Sequence, residues 1–207
     1  MLTRMNCNFA GMNFLAHAYL SFNHPQILAG NMISDFVKGA ARLGFSGNVA
    51  NGIILHRNID EYTDNHPATK KAKEIFRPSY RLYSGAIMDI LYDYFLANDP
   101  NEFDQGTLYQ FTKDTYKHLE DQSSLLPPNF LHAFTYMRME NWLFHYHTFD
   151  GIHKSLKGLI RRAAYLTESD TAFTLFKDHN DKLRDCYNEF FPDVKQFAKS
   201  RMMELVI

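Results

Sequence analysis

Apolar residues recur every three or four positions along most of the chain, which is the spacing of helices with one buried face. Strict alternation of apolar and polar residues is weak, so no strand is predicted. The pattern predicts helices near 12–23, 26–42, 48–64, 67–76, 79–98, 106–122, 128–146, 150–166 and 170–203, the last one broken at Pro192. The connections are short, and no repeat or linker-like stretch separates the segments. We therefore expect an all-α, single-domain multi-helix bundle.

One predicted helix is apolar on nearly every side and still carries two carboxylates. In the segment GAIMDILYDYFL, Asp89 and Asp93 are the only charged residues. They are four positions apart, so they lie on one stripe of the helix surface. A buried carboxylate without a partner is costly or binds a proton. We expect an arginine, a histidine or a metal ion to meet these two groups.

Polar residues interrupt two other apolar helices in the same way. In MNFLAHAYL, His17 follows Asn13 by four positions. In ILAGNMISDFV, Asp35 follows Asn31 by the same spacing. Both pairs therefore form narrow polar stripes on helices whose other residues are apolar.

A fourth polar stripe lies in the segment HRNIDEYTDNHP. His56 and Asp60 lie at the margin of the apolar face of their helix, whereas Asp64 lies nearer to solvent and is also explained as a solvated residue. Helical bundles build metal sites from His and carboxylate side chains that converge from facing helices. Nitrogen and oxygen ligands without thiolate suit Mn²⁺, Fe²⁺ or Mg²⁺, with Zn²⁺ as a further candidate.

Each of these residues also has an ordinary structural explanation. Asp89 and Asp93 can pair with a buried arginine, and His56 with Asp60 can be a simple helix pair. His17 can be a core histidine bonded to a backbone carbonyl group. All of these explanations would have to hold together by coincidence, so the joint pattern favours a shared metal site.

Composition narrows the possible partners and the cellular setting. The 207 residues carry a net charge of −1, which gives no overall attraction to nucleic acid or to an anionic membrane. No apolar run in the sequence reaches the length of a membrane span. The two cysteines, Cys7 and Cys186, are far apart and match no zinc or redox motif. We expect a cytoplasmic protein whose partner is neither nucleic acid nor a membrane.

Several segments together resemble the acyl carrier protein phosphodiesterase family, whose members are divergent relatives of HD-type metal-dependent phosphohydrolases. The matching motifs are MNFLAHAYL, LAGNMISDFVKG, HRNIDEYTDNHP, MDILYDYFL, WLFHY and FFP, in this order. The first four together are specific, and the last two are weak. Because the resemblance begins at Met12, we expect residues 1–11 to be an N-terminal extension and residues 12–207 to form one helical domain.

The resemblance implies an enzyme, a phosphodiesterase that removes the 4′-phosphopantetheine group from holo-acyl carrier protein. It implies a divalent metal ion, Mn²⁺ ahead of Fe²⁺ or Mg²⁺, and attack of a metal-bound water on phosphorus. Two alternatives stay open at this point. One is an HD-type phosphohydrolase that acts on a nucleotide or another small phosphoester, and the other is a non-catalytic helical binding module.

The positions that match the family's motifs supply the expected site. The expected metal ligands are Asp35, His56, Asp60 and Asp89. The expected catalytic residues are His17, Asp93 and Asp64, which orient the ligands or accept the proton of the water. The family often has a histidine where this chain has Tyr94, directly after the second aspartate of the buried helix. If that histidine donates a proton in relatives, Tyr94 or a water must replace it here.

A local basic surface is expected as well, because acyl carrier protein is small and strongly acidic. Basic residues follow the candidate metal ligands closely along the chain. The expected contacts with the carrier protein or its phosphate are Lys38, Arg42, Arg57, Lys70, Arg77 and Arg162. Each of them, taken alone, is also explained as a solvated surface residue.

Overall fold

A computed structural model describes residues 14–206 except 164, 165 and 167. The described residues form eleven α-helices and no strand, and they pack around one apolar core, so the predicted all-α bundle is confirmed. The helices are α1 (Phe14–Tyr19), α2 (Pro25–Ile33), α3 (Gly47–Asn65), α4 (Pro67–Tyr80), α5 (Ser84–Ala97), α6 (Gln105–Asp121), α7 (Pro128–Met139), α8 (Trp142–His145), α9 (Phe149–Arg162), α10 (Asp170–Asp178) and α11 (Asn180–Val206). Short 3-10 turns occur at Ser34–Phe36, Gly39–Gly44, Arg81–Tyr83 and Ser123–Leu125. The predicted domain boundary near Met12 lies outside the described residues.

No helix in this described part combines the length and the apolar character that crossing a membrane would require.

Several helices differ from the prediction in their bounds: α1 ends at Tyr19, α4 continues to Tyr80, and α5 begins only at Ser84. Two further predicted helices are cut short because the backbone leaves helical geometry where the apolar spacing continues. The helix predicted over 26–42 ends at Ile33, and the chain continues as 3-10 turns, the first of which carries Asp35. The helix predicted over 128–146 is interrupted at Asn141, whose φ of 46° is left-handed. Apolar periodicity reports which side of a segment is buried, so it does not reveal either interruption.

The predicted break at Pro192 is wrong, because α11 continues through this residue to Val206. A proline inside a helix costs about 3 kcal/mol through a lost hydrogen bond and a steric clash. Phe191 and Val194 on either side are buried in the core, and each such side chain contributes about 1.5–3 kcal/mol. Core packing therefore offsets the cost of the proline. The chain turns instead at His179, between α10 and α11.

Helices α2 and α3 cross more closely than side chains would allow. A Cβ atom at Gly30 would lie 2.0 Å from the carbonyl oxygen of Val49, and one at Gly52 would lie 2.3 Å from that of Ile27. Glycine is required at both positions, because backbone atoms occupy the space of the side chain. His56 follows Gly52 by about one helical turn. The crossing therefore also fixes the position of His56 relative to α2.

Helix α5 runs through the centre of the bundle and contacts α1, α4, α9 and α11. Eleven of its fourteen residues are buried, which explains why its sequence is apolar on nearly all sides. Asp93 is fully buried and Asp89 is half-buried. Both carboxylates therefore need partners inside the protein or at its edge.

Candidate metal centre

Helix α1 carries His17 and has only six residues, so contacts at its ends must hold it in place. At its N-terminal end, the Asp93 carboxylate accepts hydrogen bonds from the backbone N–H of Leu15 at 3.0 Å and of Ala16 at 2.8 Å. A helix leaves these N–H groups without internal partners. Burial raises the pKa of Asp93, whereas these two hydrogen bonds lower it. The described partner of the buried Asp93 is therefore a helix terminus, which differs from the arginine, histidine or metal ion that we expected.

Side chains also hold the C-terminal end of α1. The Asn31 amide donates a hydrogen bond of 2.9 Å to the carbonyl oxygen of His17, and the Ser21 hydroxyl donates one of 2.8 Å to the same oxygen. Asn31 is completely buried and also donates to the Ser21 hydroxyl oxygen at 3.1 Å. The backbone of His17 is thus fixed from both sides. Sequence reasoning missed this role of Asn31, and its only sequence signal is a polar residue within the apolar segment of α2.

His17, His56 and Asp60 converge between α1 and α3. The Nε2 atom of His17 lies 3.1 Å from Asp60 Oδ1, and the Nε2 atom of His56 lies 3.1 Å from Asp60 Oδ2. The two imidazole rings are stacked, with centroids 3.9 Å apart and planes 16° from parallel. One possible ligand atom from each residue lies within 4.8 Å of the other two, so the three can share one metal ion.

Two further carboxylates border this cluster. The 3-10 turn after α2 brings Asp35 back toward α3, where its Oδ1 atom lies 3.4 Å from Nε2 of His56. Burial raises the pKa of Asp89, and the nearby charges of Asp60 and Asp64 raise it further. The structure therefore places Asp35 against His56, whereas Asp89 lines the neighbouring cleft together with Asp64.

The electrostatics of the cluster favour a bound cation. Burial and the neighbouring His56 lower the pKa of His17. Burial also disfavours a charged His56, but Asp35 and Asp60 outweigh it and raise the pKa of His56 to about 10. Burial likewise disfavours a charged Asp60, yet the two histidines outweigh it and lower the pKa of Asp60. Without another cation, a proton on His56 supplies the positive charge that the carboxylates require.

The donor atoms of the cluster fit a divalent metal ion. Both ring nitrogens of His56 and the Nδ1 atom of His17 are buried without a hydrogen-bond partner among the described residues. The short contact between His56 Nε2 and Asp60 thus lacks hydrogen-bond geometry. Unpaired buried nitrogens are costly, and neutral imidazole is a common metal ligand. Nitrogen and carboxylate donors without thiolate suit Mn²⁺, Fe²⁺, Mg²⁺ or Zn²⁺.

Asp64 and Asp93 do not belong to this set of converging atoms. Asp64 is exposed, forms an ion pair with Lys73, and lines the same cleft as Asp89. It therefore lies at the open edge of the site. Asp93 is fully buried, and both of its oxygens accept hydrogen bonds from α1. Its position suits the support of α1 better than proton exchange with a water.

Tyr94 is packed into an aromatic cluster. Its ring stacks on Phe149 with centroids 5.5 Å apart, and it meets Phe95 and Phe176 edge-on. Burial raises the pKa of its hydroxyl. Its described ring contacts do not include the histidines of the candidate metal centre.

A cleft of about 830 Å³ opens next to Asp89, and its lining is mixed in charge: the basic side chains are Lys73, Arg77 and Arg81, and the acidic ones are Asp64, Glu74 and Asp89. Arg77 belongs to the predicted partner contacts, whereas Arg81 does not. Arg81 lies in a 3-10 turn with a φ of 47°, and no sequence motif places it beside Asp89. Sequence reasoning therefore named one basic side chain of this cleft, Arg77, and missed Arg81 in the 3-10 turn.

The other predicted basic residues lie on several surfaces. Lys70 is exposed on α4, the helix that also carries Arg77. Lys38 is exposed shortly after the Asp35 turn, and Arg57 is half-buried on α3. The side chains of Arg42 and Arg162 lie outside the described part of the structure.

The fold and the site define an all-α protein with a candidate metal centre of histidines and aspartates from several helices. The family model described as acyl carrier protein phosphodiesterase matches residues 12–194, and the chain belongs to this family. The acyl carrier protein phosphodiesterase of Enterobacter sp. (strain 638) is 31% identical over 193 residues, which covers 93% of this chain and 100% of that protein.

Proteins with the same name from Klebsiella pneumoniae subsp. pneumoniae and Escherichia coli O45:K1 are 29% and 30% identical, with the same coverage of 93% and 100%. No solved structure matches the chain. The family resemblance that the motifs indicated is therefore confirmed.

Proposed function

We propose that this protein is a metal-dependent acyl carrier protein phosphodiesterase. It hydrolyses the phosphodiester bond between 4′-phosphopantetheine and a serine of holo-acyl carrier protein and leaves the apo-protein. The observation that carries the proposal is the convergence of His17, His56 and Asp60 at one point, in a chain that belongs to this family.

The metal ion is held by side chains from four segments of the chain. The proposed ligands are His17 of α1, His56 and Asp60 of α3, Asp35 of the 3-10 turn and Asp89 of α5. Mn²⁺ is the proposed ion, with Fe²⁺ or Mg²⁺ as alternatives of similar ligand preference. When bound, it polarises the phosphoryl oxygens and lowers the pKa of a water.

The remaining residues of the site transfer protons or position ligands. Asp64 is exposed at the edge of the cleft that Asp89 lines, so its carboxylate is available to accept the proton of the attacking water. Asp93 has no free oxygen and instead holds the start of α1. Asn31 holds the end of the same helix, so both residues position His17.

The carrier protein docks on α4 and on the 3-10 turn that follows it. This docking face carries the basic side chains Lys70, Lys71, Lys73, Arg77 and Arg81. Lys73 is paired with Asp64 and Arg77 with Glu74, so Lys70, Lys71 and Arg81 supply most of the charge that a partner can meet. Leu82 of the same turn is 97% exposed. An exposed apolar side chain among positive charges suits an acidic protein partner that also offers apolar contacts.

Mass spectrometry of the carrier protein tests the proposal directly. The wild-type protein with Mn²⁺ is expected to convert holo-acyl carrier protein to the apo-form. His56→Ala removes a ligand nitrogen, so we expect the rate to fall at least about 100-fold and the bound metal to decrease. His179→Ala is the matched control, since His179 is exposed at the junction of α10 and α11 and should retain the wild-type rate.

Carrier protein that stays intact with every divalent metal would contradict the proposal. Hydrolysis of nucleotides under the same conditions would then favour a phosphohydrolase of small substrates. The absence of bound metal and of any thermal shift with Mn²⁺ would favour a non-catalytic binding module.

A further inference from the structure

We propose that a second cavity, an apolar groove beside the metal centre, binds the pantetheine arm and the acyl chain that the arm carries. The groove has a volume of about 830 Å³ and is lined by residues of α1, α5, α7, α8 and α9. The inference rests on the proposed function, because its occupant is the part of the substrate that leaves with the phosphate.

The groove begins at helices that also build the metal centre. Phe14 lines the groove and precedes His17 by three residues on α1, so the two side chains are neighbours on the helix surface. Such neighbours have Cβ atoms about 5–6 Å apart. Ile90 lines the groove from α5, and it directly follows Asp89. The groove and the metal centre therefore share helices α1 and α5.

The substrate requires two binding regions, because its phosphodiester joins a folded protein to a flexible arm. Helix α5 contributes to both cavities: Asp89 lines the charged cleft, and Ile90 lines the apolar groove. Arg77 and Arg81 of the docking face line the cleft, so the cleft lies on the side of the carrier protein. The apolar groove is then the cavity that we assign to the pantetheine arm.

The lining of the groove suits a neutral arm that ends in an apolar chain. Phe14, Ile90, Ala133 and Leu159 are buried and form an apolar floor. His132, Tyr136 and Ser155 place hydrogen-bonding groups along the walls, where they can meet the amides of pantetheine. Charged side chains also line the groove, and among them Lys154 forms an ion pair with Asp150. A volume of this size is ordinary for a ligand pocket.

Tryptophan fluorescence measures occupancy of the groove without any catalysis. Trp142 is the only tryptophan of the chain and lines the groove. Titration with S-octanoyl-pantetheine is expected to give a saturable shift of Trp142 emission to shorter wavelength, because the acyl chain excludes water from the indole. Ser155→Glu places a carboxylate against the apolar chain, so we expect binding to weaken at least about tenfold.

Thr135→Glu is the matched control. The hydroxyls of Thr135 and Ser155 each donate to the backbone carbonyl four residues earlier in their helices, but Thr135 does not line the groove. Its dissociation constant should stay within about twofold of wild type. Tyr136→Glu, at a half-exposed groove position, provides a second test in case Ser155→Glu does not fold. Both groove variants should also lower kcat/KM for octanoyl-carrier protein more than for holo-carrier protein.

The outcomes separate this inference from the proposed function. Wild-type protein that releases the arm from carrier protein but shows no saturable shift of Trp142 emission would overturn the groove assignment alone. Equal effects of Ser155→Glu and Thr135→Glu would overturn it as well. A saturable shift that Ser155→Glu weakens, in a protein that releases nothing from carrier protein, would support the groove and overturn the proposed function.

Discussion

Asp93 illustrates how a buried carboxylate can support a proposed metal centre without being one of its proposed ligands. Its two oxygens bind the first N–H groups of α1, and α1 presents His17 to the cluster. Asn31 binds the carbonyl oxygen of His17 from the opposite end. With a helix of six residues, these side-chain contacts replace the support that a longer helix receives from its own hydrogen bonds.

Asp93→Asn is therefore expected to reduce both stability and metal affinity. The amide keeps the size of the side chain but turns an N–H₂ group toward a backbone N–H, so the free energy of unfolding should fall by about 1–3 kcal/mol. Affinity for Mn²⁺ should fall about 10–100-fold, because His17 loses its fixed position. Urea unfolding and isothermal titration calorimetry measure the two effects.

Asp104→Asn is the matched control for this change. Asp104 caps the N-terminus of α6 in the same manner, and asparagine is about as good a cap as aspartate. Metal affinity should not change in that variant. An Asp93→Asn protein that is less stable but binds Mn²⁺ like wild type would limit Asp93 to a stabilising role.

Among the site residues, sequence reasoning was most informative where polar groups interrupt apolar segments. His17, His56 and Asp60 were singled out in this way, and the structure brings them together. The partner of Asp93 was missed, because a helix terminus acts through backbone N–H groups that every residue carries. No particular residue type marks such a contact in the sequence, so the contact can be recognised only in the structure.

Helices α2 and α3 form an element pair whose geometry is sensitive to one added methyl group. Gly30→Ala would place its Cβ atom 2.0 Å from the carbonyl oxygen of Val49, and the backbone of α3 would have to move away. Overpacking of this kind costs about 1–3 kcal/mol, and we expect at least that loss in the free energy of unfolding. His56 lies on the displaced helix, so Mn²⁺ affinity should fall too. Denaturant unfolding and calorimetry measure both quantities.

Gly106→Ala provides the control at the level of elements. A Cβ atom there meets only Asp104 Oδ1, at 3.4 Å, and Gly106 lies in α6 away from the metal centre. Alanine favours a helix over glycine by about 0.5–1 kcal/mol, so stability should stay equal or rise. If Gly30→Ala were as stable as Gly106→Ala, the tight crossing would not be a constraint on the fold.

The starts of helices were predictable from local chemistry, whereas several ends were not. Pro25, Pro67 and Pro128 occupy first-turn positions, and Asp104 is a cap, as proline geometry and capping preferences indicate. The end of α2 at Ile33 depends on how the chain turns Asp35 back toward α3, which is a tertiary contact. Local sequence signals do not encode such contacts.

At the scale of the whole molecule, a net charge of −1 conceals an uneven distribution of charge. The docking face on α4 and its following turn is basic, and Leu82 projects from it with 97% of its surface exposed. The charged cleft that Arg77 and Arg81 line also contains Asp89. Association with an acidic carrier protein should therefore be steered by a local field, which salt screens.

Arg81→Glu tests this distribution of charge. The substitution reverses one charge on the docking face, so kcat/KM for holo-acyl carrier protein should fall at least about tenfold at low salt, mainly through KM. The difference from wild type should shrink as ionic strength rises and the Debye length falls from about 30 Å at 0.01 M to about 8 Å at 0.15 M. Lys113→Glu makes the same change of net charge on an exposed position of α6, so its kcat/KM should stay near wild type. Equal losses in the two variants would mean that only net charge matters, and the carrier protein would then have no defined docking face on α4.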